Sequence, residues 1–125
     1  MATRLLLVAL GGALGSCLRY AANLFTHRAG TPPFPYATFF VNVTGCFLIG
    51  LLAVACDERA WLGPNARVFL LVGVLGGYTT FSSFGYETVT LASQGATAAA
   101  FANVAGQVVL GLAAVWAGMA LGRAL

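Results

Sequence analysis

The chain has 125 residues, of which 60% are hydrophobic and 7% are charged, and its formal net charge is +3. Six basic and three acidic side chains cannot cover the surface of a water-soluble domain, so the composition excludes a soluble protein and indicates that lipid surrounds the chain. The basic residues are all arginines, mostly near the ends of apolar stretches, which is typical of membrane anchoring and not of nucleic-acid binding.

Four apolar stretches follow one another, each long enough to cross a bilayer core of about 30 Å, which requires about 20 helical residues. They are predicted at about residues 5–24, 35–56, 68–91 and 96–121. The linkers are short, and the first carries His27, interpreted as solvated, then Arg28 and a Pro-Pro turn. The prediction is an all-α membrane protein with one four-helix transmembrane domain over residues 1–125, multi-pass in the cell inner membrane.

Glycine pairs spaced one helical turn apart occur in three of the four stretches. Such pairs allow two helices to approach closely in lipid, and close packing is the interpretation favoured for all of them. They are Gly11 and Gly15, Gly73 and Gly77, and Gly118 and Gly122.

Polar side chains inside the predicted spans are the main clues to function, because each costs free energy in lipid unless it meets a partner, water or a ligand. For Arg19, in the first span, snorkelling of the guanidinium to the headgroups is the favoured interpretation. Asn42 is the main polar residue of the second span. Asn103 and Gln107 form a polar row in the fourth span, and their role stays open.

The densest signal is the run GGYTTFSSF in the third span, where Gly76 and Gly77 are followed by four hydroxyl side chains. Two interpretations have equal weight. The helix breaks in mid-membrane, and a cation satisfies the backbone carbonyls freed by the break. Alternatively the helix is intact and the hydroxyls bond back to their own turn.

Two stripes follow from helical spacing in this run. Phe81 and Phe84 share one face, and Thr80, Ser83 and Glu87 share another. Phenyl rings have positive edges that favour a small anion, although packing in the core is the alternative for both rings. Glu87 either ends a track of hydroxyl groups or, as we favour, marks the emergence of the helix into the membrane interface.

Metal and catalytic chemistry are not expected from the reactive side chains. Cys17, Cys46 and Cys56 lie in or beside apolar spans without metal-ligand spacing and behave as small hydrophobes. The sequence contains no cluster of His, Cys and carboxylates, and no nucleophile with a base and an orienting group. The chain is therefore predicted not to be an enzyme.

Taken together, three motifs resemble the Fluc/CrcB family of fluoride channels, and the resemblance spans nearly the whole chain. The first span has GGALG followed by Arg19 and Tyr20, the second has TFFVNVTG around Asn42, and the third has GGYTTFSSF. All three occur in the order and spacing of that family.

The resemblance implies a dual-topology dimer of two antiparallel copies with two fluoride pathways. It also implies one central, structural sodium ion that is not transported. The backbone carbonyls of Gly76 and Thr79 would bind this ion, one pair from each subunit. An interfacial anchoring or vestibule role is implied for Arg19.

The same resemblance assigns the fluoride pathway. Asn42 would donate a hydrogen bond to fluoride, and Phe81 and Phe84 would line the route. The hydroxyl groups of Thr80, Ser82 and Ser83 supply further neutral donors, which bind an anion loosely enough to release it. The function implied is passive export of fluoride from the cytoplasm. Glu87, Asn103 and Gln107 remain candidates for the pathway or its vestibule.

Two other classes of membrane protein are the alternatives. A small proton-coupled multidrug exporter of the four-helix dual-topology type needs an intramembrane carboxylate; the first span has none, and Glu87 lies late in the third. A non-transporting assembly factor would leave the cluster from Thr79 to Ser83 unexplained.

Overall fold

The computed structural model describes residues 1–27 and 34–125. In this part of the chain, all regular structure is helical. We number the helices α1 (Ala2–His27), α2 (Tyr36–Glu58), α3 (64–78), α4 (Phe81–Ser93) and α5 (Thr97–Ala124). The predicted turn with Arg28 and two prolines, and the side chain of His27, lie outside the described residues.

Two helices contain π-helical segments. The last turn of α2, Val54–Glu58, is π-helical, and the N–H of Arg59 donates to Val54 O over 2.9 Å. In α3, the α-helical ends Pro64–Arg67 and Gly76–Tyr78 flank a longer π-helical stretch, Val68–Leu75. Such segments are rare and often occur near functional sites.

Four helical segments are long and apolar enough to cross a membrane, which confirms the four-span prediction. They are Ala2–Thr26, Tyr36–Glu58, Pro64–Ser93 and Thr97–Ala124. Each is somewhat longer than the apolar stretch in the sequence, because helices continue beyond the hydrocarbon core into the headgroup region.

Helices α1 and α3 cross at backbone contact, and glycines make this approach sterically allowed. A Cβ atom added to Gly11 would lie 2.6 Å from the carbonyl oxygen of Phe69, and one added to Gly15 would overlap the carbonyl oxygen of Val74. Gly77 meets the backbone of Gly12 in the same way. The close-packing interpretation of these glycines is confirmed.

Helices α2 and α5 form the second close crossing. A Cβ on Gly50 would overlap Val115 O, and one on Gly118 would overlap Phe47 O. Because small residues form both crossings, most large side chains face away from the chain's own interior, as expected where the surroundings are lipid.

A tight turn joins α4 to α5. Gly95 has a φ of +80°, the N–H of Ala96 donates to Leu91 O over 2.9 Å, and the N–H of Gly95 donates to Ala92 O over 3.1 Å. This is the Schellman arrangement, which requires a left-handed residue after the helix. This turn confirms the separation of the predicted spans 68–91 and 96–121, although α4 continues to Ser93.

At one end of the bundle, exposed charged side chains hold three helices together. Arg67 pairs with Asp57 over 2.8 Å, and Arg123 pairs with Glu58 over 2.7 Å. Arg59 also donates to the carbonyl oxygen of Arg123. These contacts place the end of α2, the start of α3 and the end of α5 at the same side of the bundle.

Candidate functional site

The backbone between α3 and α4 is extended for two residues. Thr79 has φ −85° and ψ 159°, and Thr80 has φ −153° and ψ 116°. Thr80 is the N-cap of α4, and its Oγ1 accepts a hydrogen bond from the N–H of Ser83 over 3.2 Å. A hydroxyl at this position satisfies one of the free N–H groups of the first helical turn.

Thr79 and Thr80 use their hydroxyl groups differently. Thr79 Oγ1 bonds back to Leu75 O over 3.0 Å, and its methyl group lies against Gly45. Thr80 Oγ1 donates to Ser83 Oγ over 3.1 Å and lies 3.3 Å from Ser82 Oγ. The hydroxyl group of Thr79 therefore bonds to its own helical turn. The hydroxyl groups at 80, 82 and 83 instead form a small cluster at the start of α4.

Asn42 lies beside these two extended residues and binds both backbone groups of Thr80. Its Oδ1 accepts from the N–H of Thr80 over 2.8 Å, and its Nδ2 donates to Thr80 O over 3.1 Å. The second hydrogen of Nδ2 goes to Gln107 Oε1 over 2.7 Å. The side chain of Asn42 therefore joins α2 to the start of α4 and to α5.

The contact to Gln107 continues into a series of side-chain hydrogen bonds. Gln107 Nε2 donates to Asn103 Oδ1, and Asn103 Nδ2 donates to Thr88 Oγ1, both over 2.9 Å. Thr88 Oγ1 then donates to Phe84 O over 2.7 Å. We call Asn42, Gln107, Asn103 and Thr88 the amide relay.

An open cavity of about 280 Å³ lies at the junction of α3 and α4. It brings together four of the six residues that the sequence assigned to the pathway, whereas Ser82 and Ser83 do not line it. The lining residues are Asn42, Cys46, Thr79, Thr80, Phe81, Phe84, Gln107 and Val108. Among the described residues, no charged side chain lines this cavity.

The two phenylalanines of the cavity are close but not stacked. Their ring centroids are 5.4 Å apart and the rings are tilted by 51°. Phe81 is 83% exposed in the single chain, so packing within this chain does not account for its position. Cys46, treated above as a small hydrophobe, also lines the cavity, because helical spacing places it one turn from Asn42.

Arg19 contacts the end of α3 through its side chain. Its Nε donates to the carbonyl oxygen of Gly77 over 3.0 Å, in the last turn of α3. The sequence did not predict this contact, and the snorkelling of the guanidinium to the headgroups stays a prediction. The sequence could not show this contact, because it depends on the rotation of α1 against α3.

Glu87 lies apart from the cavity. Its Oε1 accepts a hydrogen bond from Thr38 Oγ1 over 2.7 Å, and its buried Oε2 has no partner among the described residues. No hydrogen bond joins Ser83 to Glu87 in this part of the chain, so the hydroxyl cluster at the start of α4 does not extend to the carboxyl group.

Side-chain metal ligands do not cluster anywhere in residues 1–27 and 34–125. The backbone offers a different kind of site. The N–H of Thr80 would bond to Gly76 O in a continuous helix, but it donates to Asn42 Oδ1 instead. The carbonyl of Gly76 is therefore without its usual helical donor, and Gly76 is exposed on the outside of the chain.

Comparison with known proteins places this arrangement in a family. The family model described as CrcB-like protein, Camphor Resistance (CrcB), matches residues 6–119. A protein from Rhizobium meliloti (strain 1021), named fluoride-specific ion channel FluC, is 49% identical over 121 residues, which are 97% of each chain.

Two further proteins with the same name are similar. One from Paracoccus denitrificans (strain Pd 1222) is 51% identical over 118 residues, 94% of this chain and 93% of its own. One from Agrobacterium fabrum (strain C58) is 45% identical over 119 residues, 95% of each chain. The chain belongs to the CrcB family of membrane proteins.

Proposed function

We propose that the chain is a fluoride-selective ion channel that carries fluoride passively out of the cytoplasm. The observation that carries the proposal is the uncharged cavity at the start of α4, where Asn42, Phe81 and Phe84 meet. The name of the relatives, fluoride-specific ion channel, supports the choice of ion.

The mechanism replaces the water lost by the anion with weak, fixed donors. Thr80 and the ring edges of Phe81 and Phe84 offer partial positive charge along the cavity. Ser82 and Ser83 adjoin Thr80 in the same hydroxyl cluster. The first N–H groups of α4 add to this, because a helix start leaves them without intrahelical partners.

Neutral donors suit a channel better than a cation would. A full positive charge beside the route would hold a small, basic anion too strongly for rapid release. Arg19, at the α1–α3 crossing, instead uses its Nε on Gly77 O. The route therefore lowers the energy of the dehydrated anion at several sites without trapping it at one.

Two antiparallel copies would complete the channel. Phe81 and Gly76 are exposed in the single chain, and a partner copy would cover them. We propose that the break between α3 and α4 lies in mid-membrane and that the carbonyls of Gly76 and Thr79 face the partner there. The diverted N–H of Thr80 leaves Gly76 O available as a cation ligand.

A sodium ion fits this donor set, since hard cations prefer oxygen ligands. When bound, the ion would supply fixed positive potential and would satisfy carbonyls that are costly to leave unpaired in lipid. Asn42 contributes by holding Thr80 in the extended conformation through two hydrogen bonds to its backbone.

Export follows from the chemistry of the ion in an inner membrane. Hydrogen fluoride crosses a bilayer uncharged and dissociates in a neutral cytoplasm. The negative-inside potential then drives the anion outward. A proton-coupled exporter would need a carboxyl group at its central cavity, whereas Glu87 is bonded to Thr38 and does not line the cavity described here.

The test is ion flux from liposomes that contain the purified protein and a potassium gradient. On addition of a potassium ionophore, fluoride should leave the vesicles and chloride should stay. Equal release of chloride would refute the selectivity, and absence of both fluxes would refute the channel.

The sodium proposal has its own test. Sodium is replaced exhaustively by a large organic cation, and fluoride flux and dimer lifetime are measured. Both should fall, and both should return when sodium is restored. Normal flux and lifetime without sodium would show that the break between α3 and α4 holds no functional cation.

A further inference from the structure

The direction of the hydrogen bonds in the amide relay, from donor to acceptor, is fixed at both of its ends. At the start, the N–H of Thr80 can only donate, so Asn42 must present its oxygen there. At the other end, Thr88 uses its hydroxyl hydrogen on Phe84 O and can only accept from Asn103. The two amides between them therefore have a single arrangement that satisfies every group.

The burial of Asn103 makes the hydrogen bonds of the amide relay costly to break. Asn103, on α5, is fully buried. A buried amide is costly unless all of its groups are paired, and loss of one partner leaves the next one unsatisfied. A change at Thr88 is therefore transmitted to Asn103, then to Gln107, and finally to Asn42.

We propose that Gln107, Asn103 and Thr88 are positioning residues, which orient the amide of Asn42 for the passage of fluoride. The inference rests on the proposed channel function. Asn42 and Gln107 both line the cavity, and Gln107 Oε1 accepts one of the Asn42 hydrogens. Fluoride in the cavity takes the place of Gln107 Oε1 on this N–H, so that one acceptor is exchanged for another and Asn42 does not rotate.

The experiment uses Thr88, because it belongs to the relay but is not among the residues that line the cavity. Thr88→Val keeps the shape and removes the hydroxyl, whereas Thr88→Ser keeps the hydroxyl. Thr90→Val is the matched control, since it makes the same change in α4 outside the relay. The readout is the fluoride current of single channels in planar bilayers, which does not depend on how many channels fold.

Thr88→Val should lower the single-channel fluoride current by about threefold to tenfold, the effect of one lost hydrogen bond. Thr88→Ser and Thr90→Val should conduct as the wild type does. If Thr88→Val does not fold, the smaller Thr88→Ala serves in its place. A wild-type current in either variant would overturn the proposal.

A second readout separates this inference from the channel function itself. Hydrogen exchange of the Thr80 amide should be faster in Thr88→Val than in Thr90→Val, because the relay holds the acceptor of that N–H. Equal exchange would overturn the relay, even if the wild type conducts. If the wild type carries no fluoride current, the channel function fails, and the exchange measurement still decides whether the relay acts.

Discussion

The methyl group of Thr79 occupies the space in which Gly45 would carry a side chain. A Cβ built on Gly45 overlaps Thr79 Cγ2, whereas the next atoms, Tyr78 Cδ1 and Thr79 Cβ, lie at 3.5 and 3.7 Å, which are ordinary contacts. This contact limits how closely α2 can approach the extended residues that follow α3.

The first prediction is a rescue at this contact. Gly45→Ala should destabilise the fold by about 1–3 kcal/mol, the usual cost of overpacking. Thr79→Ser alone should cost about 0.8 kcal/mol, because it removes one methyl group and keeps the hydroxyl that bonds to Leu75 O. In the double variant the clash is gone, so stability should return close to that of Thr79→Ser. Unfolding midpoints in detergent measure all three, and a double variant as unstable as Gly45→Ala would contradict the prediction.

The second prediction separates two adjacent glycines. A Cβ on Gly77 would overlap Gly12 O, whereas one on Gly76 meets nothing within 4 Å in the single chain. Gly77→Ala should therefore reduce the yield of folded protein. Gly76→Val should fold but lose the dimer and the fluoride flux, because the proposed partner copy would cover that face. Chemical cross-linking in membranes measures the dimer, and a normal dimer in Gly76→Val would place the interface elsewhere.

The third prediction concerns the rings of the cavity. Phe81→Ile and Phe84→Ile keep apolar bulk but remove the positive ring edge, so fluoride flux should fall by about tenfold in each. Phe101→Ile is the control, since Phe101 is 74% exposed on α5 and does not line the cavity. Flux per folded dimer in liposomes is the measurement. Unchanged flux in both cavity variants would show that the two rings serve packing and not the passage of fluoride.

The fourth prediction concerns Asn42. Asn42→Asp replaces the amide donor with a second acceptor, which then faces Gln107 Oε1 and Thr80 O. A negative charge there repels a passing anion, and juxtaposed like charges cost several kcal/mol, so flux should fall by about a hundredfold. Asn65→Asp, at an exposed position near the start of α3, is the matched control. Wild-type flux through a folded Asn42→Asp dimer would show that Asn42 does not contribute to the fluoride route.

The fifth prediction tests the contact of α1 with the end of α3. Arg19→Leu removes the donor to Gly77 O and should cost about 1–3 kcal/mol of stability, because the carbonyl is left without that donor in lipid. Arg4→Leu removes a charge from the exposed start of the same helix and should be close to neutral. Equal unfolding midpoints for the two variants would show that the hydrogen bond of Arg19 contributes nothing.

Helix number was accessible from the sequence for a local reason, because hydropathy over about 20 residues decides where a span lies. The two glycines before Thr79 and Thr80 weaken a helix, but they left a break and an intact helix as equal alternatives. The glycine pairs also predicted close crossings, because small residues one turn apart leave a groove for another backbone.

The partners of the polar side chains were not accessible in this way. Arg19 and Gly77 are 58 residues apart, and Asn42 and Gln107 are 65 residues apart. Such contacts depend on the rotation and relative height of two helices, and a rotation of about 100° corresponds to one residue along a helix. Because apolar residues surround all four spans, hydropathy gives little information about that rotation.

The π-helical stretch of α3 has an evolutionary consequence. Its hydrogen bonds reach one residue further than those of an α-helix, so Val68–Leu75 holds surplus chain length. A deletion of one residue there can be absorbed by a return to α-helical bonding, and Gly77 keeps its contact with α1. The same deletion in α4 would rotate everything beyond it by about 100° and turn Thr88 away from Asn103. Length variation between related chains is therefore expected in the first half of the third span and not in the second.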